Sequence, residues 1–167
     1  KHTTNKKIKK EPNMLLHVGR LSAEKKVDTF IKALKHVKHD YQAIITSNGP
    51  LKKYLQELTV KEGVSDKVTF TGFISRKKLE EYYDKASVFI SAAEHDTFNN
   101  CVAEAVVHGT PVIINQNSGA TDFVQHQKNG IILKKNNPQD YARTIDWLLL
   151  NKEVRDKLSK TAQQVIE

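Results

Sequence analysis

The sequence predicts a doubly wound α/β domain, a parallel sheet with helices on both of its faces. Two observations lead there. Short apolar runs such as Met14-Leu15-Leu16-His17-Val18 and Val88-Phe89-Ile90-Ser91 alternate with longer amphipathic runs, the pattern of buried parallel strands joined by crossover helices. The loops between the runs are short, and no repeat or low-complexity tract interrupts them, which suits one compact unit. At 167 residues the chain is most simply a single domain. A domain of this size buries roughly 70% of its unfolded surface, enough for a sizeable core.

The first strand is predicted at Met14–Val18. Residues 27–37 follow as a helix, because Val27, Phe30, Ile31, Leu34 and Val37 recur at the spacing that lines one side of an α-helix. The alternation then repeats: a strand at 41–47, a helix at 51–62, a strand at 68–71, a helix over Arg76–Lys85 and a strand at 88–91. A helix over residues 101–108 is closed by Gly109, with Pro111 just beyond it. Residues 111–115 read as a strand, 121–125 as a short helix, Gly130–Leu133 as a strand and Pro138–Leu150 as a helix, with a further helix from Val154. Such an order of elements is Rossmann-like.

The formal charge of +8 and a pI near 9.5 favour an anionic partner without choosing among phosphorylated small molecules, nucleic acid and acidic membranes. Part of the excess lies in Lys1, Lys6, Lys7, Lys9 and Lys10 ahead of Pro12. Residues 1–12 therefore read as a basic linker or boundary segment in preference to a membrane-binding arm, and residues 13–167 as the domain. Cys101 is the only cysteine, so an intrachain disulfide is impossible and a reducing, cytoplasmic setting is expected. No apolar run approaches the roughly 20 residues of a membrane helix, and no signal peptide is visible.

The seven glycines lie more than eight residues apart from one another, which excludes both a Gly-x-Gly-x-x-Gly fingerprint and a P-loop. Phosphate binding here needs cationic side chains and helix N-termini in place of a glycine cradle. The loop after the first strand offers Arg20 and Lys25 at the ligand-binding edge of the predicted sheet. A planar guanidinium and a point-charge ammonium suit two neighbouring phosphates, although in a lysine-rich chain the same residues also read as solvated cations. Asp96 and Glu104, with seven residues between them, bridge a strand end and a helix start. Eight helical steps of about 100° leave side chains about 80° apart, so these acids address different parts of one elongated ligand.

Other reactive residues have plainer readings. Glu94, His95 and Asp96 are consecutive and rarely could converge on one ion, so no metal site is expected. His36 and His39 suit a helix C-terminus, Cys101 a buried small hydrophobe, and Tyr82, Tyr83 and Trp147 a core in preference to a stacking platform.

Five motifs run through the chain in order: Gly19-Arg20-Leu21 with Glu24-Lys25; Ser47-Asn48-Gly49-Pro50-Leu51; Phe70-Thr71-Gly72-Phe73-Ile74; Asp96-x7-Glu104 with Ala105; and Gly109-Thr110-Pro111-Val112-Ile113. Together they resemble the C-terminal, donor-binding domain of the group 1 (family 4) glycosyltransferases of GT-B architecture, from Met14 onward. The resemblance implies a retaining enzyme that transfers sugar from a nucleoside-diphosphate sugar, UDP-sugar favoured over GDP-sugar, to a cell-surface glycan or glycolipid acceptor. It implies no cofactor and no divalent metal, and a cytoplasmic setting with peripheral membrane contact. Arg20 and Lys25 would stabilise the departing diphosphate, and Asp96 would contact the sugar hydroxyls. Glu104 would accept hydrogen bonds from the ribose. Gly19 and the turn of Thr97, Phe98, Asn99 and Asn100 would border the sugar and phosphate, and the backbone around Phe73 and Ile74 would read the base.

Three departures from the family pattern stand out. Asp96 occupies a position where Glu is usual, and Asn99 and Lys26 occupy positions where Gly is usual, so the sugar contacts are expected to differ. Asn99 and Asn100 are also candidate helix caps. Asp122 reads equally as part of the sugar pocket or as an acid starting a short helix. An N-terminal acceptor-binding domain is implied as a partner, so these residues are expected to bind donor without full transferase activity. The alternative is a non-catalytic module that binds nucleotide or an acidic partner, lacking a base preference that depends on Arg20 and Glu104. No nucleic-acid-binding motif is present, and no nucleic-acid partner is expected.

Overall fold

The computed structural model describes residues 9–97 and 99–164. Its sheet has six parallel strands: β1 (Met14–Val18), β2 (Gln42–Thr46), β3 (Val68–Gly72), β4 (Val88–Ile90), β5 (Val112–Asn115) and β6 (Gly130–Leu133). They lie in the order β3-β2-β1-β4-β5-β6, the Rossmann-like order of a doubly wound sheet. Between and after them run α1 (Val27–Leu34), α2 (Lys52–Lys61), α3 (Arg76–Lys85), α4 (Asn100–Val107), α5 (Pro138–Leu150) and α6 (Lys152–Gln164).

All five residues of β1 are buried, as a central strand covered on both faces requires. Alternate side chains enter opposite cores. Leu15 joins Phe30 and Ile31 of α1, Leu55 of α2 and Ile145 of α5, whereas Leu16 joins Tyr83 of α3 and Val102 and Val106 of α4. Each such side chain contributes roughly 1.5–3 kcal/mol by leaving water.

β1 pairs with β2 over five positions but with β4 only at Leu15↔Val88 and Leu16↔Phe89. Beyond those residues the two central strands part. The chain leaves β1 towards α1 on one face and leaves β4 towards α4 on the other, so a crevice opens between the two crossovers at the C-terminal edge. In open α/β sheets this switch point is where ligands bind.

Several expectations are corrected. The first helix ends at Leu34, because the backbone N–H groups of Lys38 and His39 donate to the Asp146 carboxylate of α5 and the chain turns there. His36 and His39 lie just beyond the C-terminus of that helix, near the end where they were expected. The short helix expected at 121–125 is a 3-10 turn over Gly119–Asp122, started earlier by Ser118, whose Oγ accepts from the Ala120 N–H at 3.2 Å. Trp147 is 41% exposed and not a core residue, while Tyr83 is fully buried. Lys10 is no solvated linker residue: its ammonium donates to the Tyr83 carbonyl and the Thr110 hydroxyl, and burial lowers its pKa to about 8. No helix among the described residues is long and apolar enough to cross a membrane.

Candidate functional site

The loop after β1 contributes the cations. Its Leu21 N–H donates to the Asn48 carbonyl and its Leu21 carbonyl accepts from the Leu51 N–H, each at 3.0 Å, so the Asn48-Gly49-Pro50 turn braces it from the side. A Cβ on Gly49 would overlap the Leu21 backbone, which explains glycine there. A 3-10 turn at Ala23–Lys25 follows, and Lys26 then takes a left-handed conformation, φ +51°. A conformation of this kind suits glycine better than lysine. Lys25 turns inward, and its Nζ donates to Asp96 Oδ2 at 2.8 Å, across the crevice from one crossover to the other.

The loop after β4 is held from beneath. Asn115 Nδ2 donates to the Ala93 carbonyl at 2.9 Å, Asn136 Nδ2 to the Ala92 carbonyl at 3.0 Å, and the His95 N–H to the Asn117 carbonyl at 2.9 Å. Gly119 packs so tightly that a Cβ there would overlap the Asp96 carbonyl oxygen. Asp96 is thus fixed by β5 and the segments that follow it.

Asn99 precedes α4 with φ +44°, again left-handed at a family glycine position, which Asn tolerates better than most residues. Its side chain does not cap the helix, contrary to expectation. Capping needs an extended backbone at this position; the left-handed turn instead sends Asn99 Nδ2 to Ser91 Oγ at 2.9 Å. Asn100 and Thr97 are exposed at the same edge, and Phe98 lies outside the described residues.

Glu104, on α4, accepts from Arg76 Nη1 at 2.9 Å. Arg76 is the first residue of α3, a helix capped by Ser75 Oγ, and its Nε also donates to Glu80 Oε1 at 3.1 Å. These bonds, led by the one to Glu104, raise the guanidinium pKa further. Burial raises the Cys101 pKa most, the Glu104 and Asp96 charges raise it further and Lys25 opposes them, so the thiol is no activated nucleophile.

Arg20 is exposed, with no ion pair among the described residues, and its charge is the smallest of the influences that lower the Glu24 pKa, led by the hydrogen bond from Ser22 Oγ at 2.6 Å. Gly19 lies beside Lys25 and His17. Phe73 stands 79% exposed just past β3, with Ile74 half-buried next to it. Asp122 is exposed, and no hydrogen bond or ion pair joins it to these residues among those described.

Two residues near the site carry no motif. Arg76 is one, and its signal in the sequence is only its place two residues after Ile74. His17 is the other: its Nδ1 meets the Ile90 carbonyl at 3.1 Å where β1 and β4 part, and its buried Nε2 has no partner among the described residues. Burial, aided by the Lys25 charge, lowers its pKa to about 4, so the ring is neutral and Nδ1 carries the hydrogen that Ile90 accepts.

The fold is a doubly wound parallel α/β domain, and a cation and a carboxylate are paired across its switch point, the edge at which open α/β sheets bind ligands. The chain matches the model of the glycosyl transferases group 1 family over residues 1–165 and belongs to that family. It is 28% identical over 159 residues to an uncharacterized glycosyltransferase of Methanocaldococcus jannaschii, a span of 94% of this chain and 41% of that relative. Among solved structures, the catalytic domain of cholesterol-alpha-glucosyltransferase from Helicobacter pylori aligns with a TM-score of 0.82 at 28% identity, covering 93% of this chain and 98% of that one. Anabaena HepE in complex with UDP-glucose aligns with a TM-score of 0.84 at 22% identity, covering 92% of this chain and 43% of that one.

Proposed function

We propose that this chain binds a nucleoside-diphosphate sugar in the crevice between β1 and β4, as the donor half of a retaining sugar transferase, with a UDP-sugar preferred. The observation that carries this reading is the Lys25–Asp96 pair, a phosphate-type cation and a hydroxyl-type acceptor held at 2.8 Å across the switch point. A diphosphate entering the crevice takes over the Lys25 ammonium and meets the guanidinium of Arg20. Asp96, released from Lys25, accepts hydrogen bonds from the donor sugar. Glu104 does the same for the ribose, and the edge at Phe73 and Ile74 receives the base.

In the transfer step the C1–O bond of the donor breaks and its electron pair leaves on the diphosphate, where Arg20 and Lys25 stabilise the growing charge. The acceptor hydroxyl bonds to C1 on the same face and passes its proton to the departing diphosphate oxygen. HepE was solved with UDP-glucose, which favours a UDP-sugar, and the Helicobacter relative is named for glucosyl transfer to cholesterol, which favours a lipid acceptor. We assign acceptor binding to a separate N-terminal domain of the same enzyme, and the reaction to the cytoplasmic face of a membrane.

Calorimetry of the chain with UDP, GDP and ADP tests the reading. One nucleotide, UDP, should bind clearly best, and Arg20→Ala or Glu104→Ala should each weaken it about tenfold, the scale of a hydrogen bond to a charged group. Equal, weak binding of all three, unaffected by either substitution, would instead support a non-catalytic anion-binding module.

A further inference from the structure

We propose that Arg76 is a positioning residue for ribose recognition: it pre-aims the Glu104 carboxylate and ties it to the loop that carries Phe73 and Ile74. This role rests on the donor-site reading above and adds to it a residue that none of the five motifs marks as functional. A glutamate side chain on an open helix face samples several rotamers, and ordering it on a ligand costs affinity. Arg76 removes that freedom beforehand. Its Nη1 holds Glu104 Oε1 at 2.9 Å, and an ionised carboxylate has lone pairs beyond that contact to accept from ribose hydroxyls.

The guanidinium is itself steadied. Its Nε is bonded to Glu80 one turn along α3, and its backbone starts that helix behind the Ser75 cap. The Arg76–Glu80 contact is a local i,i+4 pair, whereas the Arg76–Glu104 contact spans 28 residues and joins the crossover after β3 to the one after β4. Because Arg76 follows Ile74 by two residues, the base-reading loop and the ribose-reading carboxylate move as one unit. The pair is too exposed, at 58% and 31%, to be there for stability, since ion pairs of this kind contribute little to folding.

The test is calorimetry of the wild-type chain, Arg76→Ala and Arg76→Lys with UDP, GDP and ADP, each beside its 2′,3′-dideoxy counterpart. For the base that binds best, the wild type should favour the ribose form at least about tenfold, as expected when a charged acceptor loses its donors. In Arg76→Ala that preference should fall to about twofold while the dideoxy affinity stays nearly constant, and Arg76→Lys should recover part of it. An unchanged ratio in Arg76→Ala, or equal weakening of ribose and dideoxy forms, overturns this role and leaves the donor-site reading intact. Absence of nucleotide binding by the wild type overturns both.

Discussion

Lys25 and Asp96 meet at 2.8 Å with each side chain about 20% exposed, whereas Arg76 and Glu104 meet at 2.9 Å with 58% and 31% exposure. Both pairs neutralise an acid of the same motif, and both join crossovers that are distant in sequence. They differ in what a ligand must do to them. The inner pair is partly desolvated, so breaking it without replacement leaves a costly lone charge, and a diphosphate offers Lys25 the replacement. The outer pair is solvated and worth little energetically, so it can persist when Glu104 takes on a further partner. One is a contact to be exchanged, the other a contact to be kept.

The largest effect expected on this comparison comes from acid. His17 and Lys25 both flank Gly19, and burial lowers the His17 pKa to about 4 from an ordinary 6.5. Between those values the unfolded chain binds the proton that the folded chain refuses, so stability is lost as the pH falls from 6.5 towards 4, by about 3 kcal/mol in all. Urea unfolding at pH 7 and pH 4.5 should show a clearly smaller loss in His17→Asn; equal losses would remove His17 from the account. A second step separates the pairs directly. Lys25→Ala should lower stability by about 1–2 kcal/mol by stranding Asp96, and Arg76→Ala by less than about 0.5 kcal/mol. Similar losses in thermal unfolding would mean that the two pairs are energetically alike.

Removing the acid in place of the cation reverses the sign. Asp96→Asn frees Lys25, so UDP should bind about fivefold more tightly while any added affinity from the donor sugar is lost. Weaker UDP binding in this variant would contradict the exchange. The smallest effect concerns the loop that presents Lys25. Lys26 holds a left-handed conformation that costs about 1 kcal/mol outside glycine. Lys26→Gly should therefore stabilise by about 0.5 kcal/mol once the added freedom of the unfolded chain is subtracted. A loss of stability would mean that the Lys26 side chain makes a compensating contact.

Much of the fold was legible because its signals are local. β1, α3, β6 and α5 have the bounds expected from apolar runs, cap residues and helix-starting proline. One bound moved because a distant residue intervened, as Asp146 does in ending α1, and another because of a neighbouring cap, as Ser118 does in starting the turn at Gly119. The candidate site was read as a set of residues and not as a set of pairs. Lys25 and Asp96 were both marked as ligand-binding, yet their contact spans 71 residues, and Glu104 was read without the arginine that holds it. The missing glycines at 26 and 99 were visible as departures, but their meaning depends on φ. Both positions take a left-handed turn, and at Asn99 that same turn defeats the expected helix cap.

A crystal structure of the chain with UDP tests the exchange most directly. Lys25 Nζ should leave Asp96 for a phosphate oxygen, while Arg76 stays on Glu104 and the carboxylate meets the ribose. UDP bound away from the crevice, or seated there with Lys25 still on Asp96, would contradict the account.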